Sequence, residues 1–191
     1  MIGVVLAGGS GRRLGRGSKA AVVLAGRPLV SYPVSALGEE CDRIAIVCKR
    51  STALPELRGV ERWDEPDEPR HPLTGLVHAL ETADAPVLVC AADMPFVTAD
   101  ACRTLLGAAG ASPVVAATAA GLLQPTFALY APAALETLRA AAPDAPLTRT
   151  VEALEPIRVA LPPALVRSVN TPEELAEAEA LLATRGAQSA G

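Results

Sequence analysis

Short unbroken aliphatic runs alternate along this chain with segments whose apolar residues recur every three or four positions, the pattern of a layered α/β fold. Residues 3–7 read as a buried strand that halts at Gly8-Gly9. Residues 27–40 place Pro28 near their start and Leu29, Val30, Val34 and Leu37 at helical spacing, which predicts a helix. Residues 43–48 predict a second buried strand and residues 60–63 a short third. Leu73, Leu76, Val77 and Leu80 form an i, i+3, i+4, i+7 stripe, so residues 73–82 are expected to be helical. Residues 86–90 are expected to be a central strand, because a continuous aliphatic run means burial on both faces.

The second half continues the alternation. Thr98-Ala-Asp100 opens a helix that runs through Leu106, strands are expected at 113–117 and 126–130, a helix at 132–141 and a short strand at 157–161. Thr171-Pro-Glu-Glu174 is a capping box with proline at the first helical position, and the helix it starts is expected to reach about Thr184. With no repeat or linker, residues 1–185 read as one domain and residues 186–191 as a frayed tail. Residues 64–70, rich in charge and proline, are expected to form a loop at a strand end.

Composition narrows the chemistry. Half of the 191 residues are apolar, enough for a core without disulfide or metal staples. The aromatics are Tyr32, Trp63, Phe96, Phe127 and Tyr130 alone, too few for the stacking platform of a single-stranded nucleic-acid binder. Cys41, Cys48, Cys90 and Cys102 show no C-x-x-C spacing and lie far from His71 and His78, so they read as reduced, buried thiols rather than zinc ligands. The first residues lack the charge of a signal peptide, and no apolar run is long enough to span a bilayer; a cytoplasmic protein is the expectation. The net charge of −4 is unevenly spread: residues 1–38 hold Arg12, Arg13, Arg16, Lys19 and Arg27 and no acid. A local cationic funnel on an acidic chain suits a small polyanion better than a nucleic-acid backbone.

That funnel coincides with the strongest motif, Leu6-Ala-Gly-Gly-Ser-Gly-Arg-Arg-Leu-Gly-Arg-Gly-Ser-Lys19. Glycines after a buried strand let backbone N–H groups approach an anion, and the following Arg and Lys neutralise phosphate oxygens. It is not a Walker loop, because Gly17 is followed by Ser18-Lys19-Ala20, nor a dinucleotide fingerprint, because Gly9-Ser-Gly11 is followed by Arg12-Arg13-Leu14. A second anchor is Asp93, placed just past the aliphatic run at 86–90. Ligands of open α/β sheets bind at the strands' carboxyl ends, and a carboxylate there can hold Mg²⁺.

These residues resemble the MobA-like nucleotidyltransferases, and among them the molybdenum cofactor guanylyltransferases. Leu6-Ala-Gly-Gly9, Arg13, Leu14, Gly15 and Lys19 match that family's L-A-G-G-x-x-x-R-[ML]-G-x-x-x-K loop. His71-Pro-Leu-Thr-Gly75 is similar to its P-L-x-G helix start, Cys90-Ala-Ala-Asp93-Met-Pro95 to its C-x-x-D-x-P, Gln124-Pro125 to its [QH]-P strand and Val169-Asn-Thr-Pro-Glu-Glu-Leu175 to its closing V-N-T-P-E-E-L. The chain departs at Val47 and Ser168, where the family usually has asparagines. The resemblance implies a three-layer Rossmann-like nucleotidyltransferase fold with a mostly parallel central sheet. It implies transfer of GMP from GTP to molybdopterin or molybdenum cofactor with release of pyrophosphate, Mg²⁺ as cofactor, and a monomer or weak homo-oligomer. Arg13, Lys19 and Asp93 would be catalytic, with Asp93 holding the metal. Leu6, Ala7, Gly8, Gly9 and Asp64 would join them in binding nucleotide, while Gln124 and Asn170 would bind the acceptor. A relative using CTP or another phosphorylated acceptor, or a non-catalytic nucleotide-binding adaptor, fits the same motifs.

Overall fold

Ile2–Leu6, aliphatic throughout, becomes β1 and lies at the centre of a seven-stranded sheet. The computed structural model describes residues 1–8 and 19–189. On either side of β1 run β4 (Arg43–Lys49) and β6 (Val87–Ala91), both parallel to it. β5 (Val60–Glu65) pairs parallel with β4 and closes that edge. Beyond β6 come β8 (Leu122–Tyr130), antiparallel to both of its neighbours, then β7 (Val114–Ala119), then β9 (Ile157–Ala160) parallel to β7. The order β5-β4-β1-β6-β8-β7-β9 is therefore mostly parallel. It reverses between β1 and β6, since successive units build outward from β1 in one direction and then restart on its other side. Such a reversal opens a crevice at the carboxyl ends of the two strands.

Helices cover both faces, giving the three layers. On one face α1 (Ser31–Gly38) and α3 (Ala99–Gly107) bring Leu37 and Leu105 onto Val5, Ile46, Leu88 and Phe127. On the other, α2 (Pro72–Ala83), α4 (Leu135–Ala140) and α5 (Leu147–Glu152) bring Leu76, Leu80, Leu138 and Val151 onto Val4, Val47, Val89 and Tyr130. The alternation of Val4 and Val5, or Leu88 and Val89, between these clusters is the period-2 arrangement of a strand buried on both sides. A smaller core joins Leu24, Leu29, Phe96, Val169 and Ala178, and seats α6 (Pro172–Ser189) against a two-stranded ribbon.

That ribbon corrects the expected helix over 27–40. Val23–Leu24 (β2) pairs antiparallel with Arg27–Pro28 (β3), and α1 begins only at Ser31. Ala25 and Gly26, at φ 47° and 81°, form a two-residue left-handed turn whose twist suits a hairpin, which breaks the helical pattern before it starts. The segment 147–152, with Leu147 and Val151 one turn apart, forms a helix that periodicity over so short a span does not announce. β5 and β8 are longer than expected at 60–63 and 126–130. The pairing of β7 with β8 shifts register between Ala116 and Ala117, from Ala128 to Gln124, at the stretch where Pro125 has no N–H to donate. α6 continues past Thr184 to Ser189. Its capping box is as expected: Glu174 N–H donates to Thr171 Oγ1 at 3.2 Å, and Glu174 Oε2 accepts from the N–H groups of Thr171 (3.2 Å) and Asn170 (2.6 Å).

All four cysteines are free and buried. Burial pushes the Cys102 thiol up to about 12 and the Cys41 thiol to about 11, so thiolate is scarce in the native state. A chromogenic disulfide reagent near pH ~8 is therefore expected to titrate all four thiols in guanidinium and none rapidly in the folded protein. A fast-reacting native thiol would contradict this packing. Among the described residues, no helix is long and apolar enough to cross a membrane.

Candidate active site

The crevice between β1 and β6 is the mouth of a cleft whose lining includes Leu6, Ala7, Gly8, Lys19, Val47, Lys49, Glu65, Ala92, Asp93, Thr126 and Ser168. Its geometry follows from where strands stop. The ladder continues one residue past β1, with Ala7 N–H donating to Val47 O at 2.8 Å and Ala92 N–H to Leu6 O at 3.0 Å. The chain then leaves the sheet on both sides, which puts Gly8 and Asp93 at the rim. A turn closed by Met94 N–H to Ala91 O (3.3 Å) carries Asp93, and Met94 and Phe96 anchor it in the core.

Lys19 returns to this rim from a short 3₁₀ turn, Lys19–Ala21. Its Nζ donates to Asp93 Oδ2 and to Asn170 Oδ1. The Lys19 and Asp93 side chains are only 14% and 18% exposed, so the pair is largely shielded from solvent. Asn170 is held by the capping box of α6, and Val169 N–H donates to Asp93 O at 2.9 Å, which locks the two loops together. One oxygen of this pair is left over: among the described residues, Asp93 Oδ1 is buried with no hydrogen-bond partner. An orphaned anionic oxygen costs free energy unless a ligand satisfies it.

A second charged pair lies along the same edge. Lys49, at the end of β4, approaches Glu65 Oε1, at the end of β5, at 3.5 Å, and both side chains are buried. Lys49 Nζ also donates to Pro66 O and, at 3.3 Å, to Pro69 O. Burial pushes the Glu65 carboxyl above its usual range, and the ammonium of Lys49 opposes that shift. Two glycines make room for it: a Cβ on Gly8 would sit 2.3 Å from Glu65 Oε1, and one on Gly75 would sit 3.0 Å from Oε2. Gly8→Ala is therefore expected to displace Glu65 from its pair and to lower stability by about 1–3 kcal/mol in denaturant unfolding. An unchanged midpoint would show that Glu65 yields freely.

The sequence-derived sites fare unequally. Leu6, Ala7, Gly8, Lys19 and Asp93 come together in the cleft, and Asn170 joins them through Lys19. Gly9 and Arg13 lie outside the described residues. Asp64 does not line the cleft: strand alternation turns it the other way, where Arg62 (2.7 Å) and Arg50 (3.6 Å) pair with it. Its neighbour Glu65 faces the cleft instead. Gln124 does not line it either; its Nε2 lies 3.4 Å from Leu122 O, while Thr126, within the register shift, does reach the cleft. Periodicity missed Lys49 and Glu65. Lys49 carried a signal, a lysine closing the apolar run of β4 where a charge that cannot reach water needs a partner; Glu65, one of several charges in β5, carried none. His71 caps α2, its Nδ1 accepting from Leu73 N–H at 3.2 Å.

Among the described residues no cluster of three or more His, Cys, Asp or Glu could enclose a metal. A single shielded rim carboxylate with an oxygen unpartnered among the described residues is the other common arrangement, in which Mg²⁺ keeps waters and takes its remaining ligands from substrate phosphates. Asp93 fits that arrangement.

Comparison with known proteins agrees with the geometry. Residues 3–158 match the family model of the MobA-like NTP transferase domain. A molybdenum cofactor guanylyltransferase of Cereibacter sphaeroides is 36% identical over 95% of this chain and 97% of its own. In fold, the chain is similar to the molybdopterin-guanine dinucleotide biosynthesis protein A of Archaeoglobus fulgidus, with a TM-score of 0.74 at 23% identity over 96% of this chain and all of that one. It is also similar to a 2-C-methyl-D-erythritol 4-phosphate cytidylyltransferase of Thermus thermophilus, with a TM-score of 0.69 at 20% identity, covering 94% and 97%. A crevice at the sheet's reversal, a lysine–aspartate pair on its rim and a family match over most of the length point one way: this chain belongs to the MobA-like NTP transferase domain family.

Proposed function

We propose that the protein transfers GMP from GTP to the terminal phosphate of molybdopterin or molybdenum cofactor and releases pyrophosphate. The observation that carries this reading is the Lys19–Asp93 pair, whose Oδ1 has no partner among the described residues, set at the carboxyl ends of β1 and β6. Relatives named molybdenum cofactor guanylyltransferase, matched over nearly their whole length, support the choice of nucleotide and acceptor.

An oxygen of the acceptor's phosphate attacks the α-phosphorus of GTP, the bond from that phosphorus to the β-phosphate oxygen breaks, and pyrophosphate leaves. The attacking phosphate monoester is already ionised near neutrality, its second pKa being about 6, so no general base is needed. The chain's own work is positioning and charge. Gly8 lets the backbone approach the triphosphate. Lys19 holds its ammonium at the rim and offsets charge that grows on the leaving pyrophosphate. Arg13, in the same glycine loop, adds a second cation. Asp93 would hold Mg²⁺, which supplies charge neutralisation across the phosphate oxygens. Asn170 accepts from Lys19 and keeps the ammonium beside Asp93. Thr126 and Ser168 offer hydroxyls in the cleft in place of Gln124.

A panel of GTP, CTP and ATP, each with molybdopterin and Mg²⁺ and scored by pyrophosphate release, tests the proposal. Release with GTP alone is the expected result. Release with CTP instead would make the protein a cytidylyltransferase, and tight GTP binding with no release would make it an adaptor.

A further inference from the structure

Among the described residues, the buried side-chain oxygens that lack a hydrogen-bond partner are Asp93 Oδ1 and Glu65 Oε2. Both belong to the lining of the same cleft. Their strands are three places apart in the sheet, β5-β4-β1-β6, roughly 14 Å at ordinary strand spacing. The two ends differ in character. Lys19 and Asp93 make one end suited to phosphates. At the other, Leu6, Val47 and Pro72 present apolar surface around Glu65, and Gly8 and Gly75 withhold the Cβ atoms that would cover its carboxylate. A flat heterocycle can lie against such walls while an acceptor meets its edge.

We propose that Glu65 reads the Watson–Crick edge of guanine, accepting hydrogen bonds from N1–H and the 2-amino group, with Lys49 as the positioning residue that holds the carboxylate. This rests on the reading of the cleft as a GTP site. Guanine presents a ring N–H and an amino group side by side, two donors that match the two acceptor oxygens of a carboxylate. Adenine and cytosine set a ring acceptor beside their amino group, and that lone pair would face the anion. Rejection is the stronger half of such a design, because a base without the donors leaves a buried carboxylate unsatisfied. Val47, apolar and in the cleft, offers the base no side-chain hydrogen bond. Lys49 is tied to the Pro66 and Pro69 carbonyls as well as to Glu65, so it fixes the carboxylate relative to the loop before α2.

Calorimetric titration with GTP, ITP and 2′-deoxy-GTP, without acceptor, tests this. ITP lacks the 2-amino group, and the wild-type protein is expected to bind it about tenfold or more weakly than GTP. Glu65→Gln should weaken GTP by about 10–100-fold and bring the GTP-to-ITP ratio to within about threefold, while leaving the GTP-to-2′-deoxy-GTP ratio unmoved. Lys49→Met should lower the GTP-to-ITP ratio as well; an unchanged ratio overturns its positioning role. Equal wild-type affinity for GTP and ITP overturns the proposal without any variant. So does a Glu65→Gln protein that keeps its base discrimination, or one that loses discrimination against the 2′-deoxy ribose instead. Failure of the wild-type protein to bind GTP would overturn the reading of the cleft itself, a different result from GTP binding that ignores Glu65.

Discussion

Asp93→Ala is expected to lower guanylyl transfer by at least about 10³-fold with the fold intact, more than any other single change in the cleft. Its carboxylate has two jobs. Oδ2 accepts from Lys19, and Oδ1, beside it at the rim, has no hydrogen-bond partner among the described residues and is left to meet a phosphate-bound cation. Alanine removes both at once. Asp93→Asn separates them: an amide can still accept from Lys19, but it has no charge to hold a divalent ion. Both variants are expected to be inactive and folded, with kcat rather than KM for GTP carrying most of the loss. Full turnover in either would remove Asp93 from the reaction.

Lys19→Ala is expected to cost about 10²–10³-fold in rate, read from kcat/KM for GTP. Its ammonium sits between Asp93 and Asn170 and pairs with the Asp93 carboxylate. Removing it withdraws charge from the leaving pyrophosphate and leaves Asp93 short of a partner in a shielded place. Lys19→Arg should not restore the rate, because a planar guanidinium cannot fill a compact slot bounded by a carboxylate and an amide oxygen. The double variant with Asp93→Ala is expected to be little worse than Asp93→Ala alone, since the two residues act as a unit. Additive losses, or a Lys19→Arg protein at full rate, would mean the two work separately.

How much of this was legible beforehand differs by residue, and the reason is geometric. The central strands were readable because double burial demands unbroken aliphatic runs, as in Val87–Ala91, and burial is written directly into residue type. The capping box of α6 was readable because its chemistry is local, Thr171 and Glu174 satisfying each other's backbone groups. The meeting of Lys19, Asp93 and Asn170 depends on contacts 74 and 151 residues apart, which local pattern cannot convey; the family resemblance supplied two of them as catalytic. Asp64 shows the limit of motif spacing. A one-residue displacement in a strand reverses the side on which a carboxylate falls, so Glu65 and not Asp64 enters the cleft. Pro125 shows another limit: it sits in the register shift, where Thr126, and not Gln124, meets the cleft. The ribbon at 23–28 was hidden by a turn, Ala25-Gly26, that carries no sequence signal stronger than one glycine.

Mass spectrometry of the product formed from molybdopterin, Mg²⁺ and an equal mixture of GTP, CTP and ATP tests the account most directly. The expected product is the pterin bearing one added GMP through a phosphoanhydride, with one pyrophosphate released per adduct and none formed by the Asp93→Ala protein. A CMP or AMP adduct, or bound GTP recovered unchanged beside unmodified pterin, would contradict it.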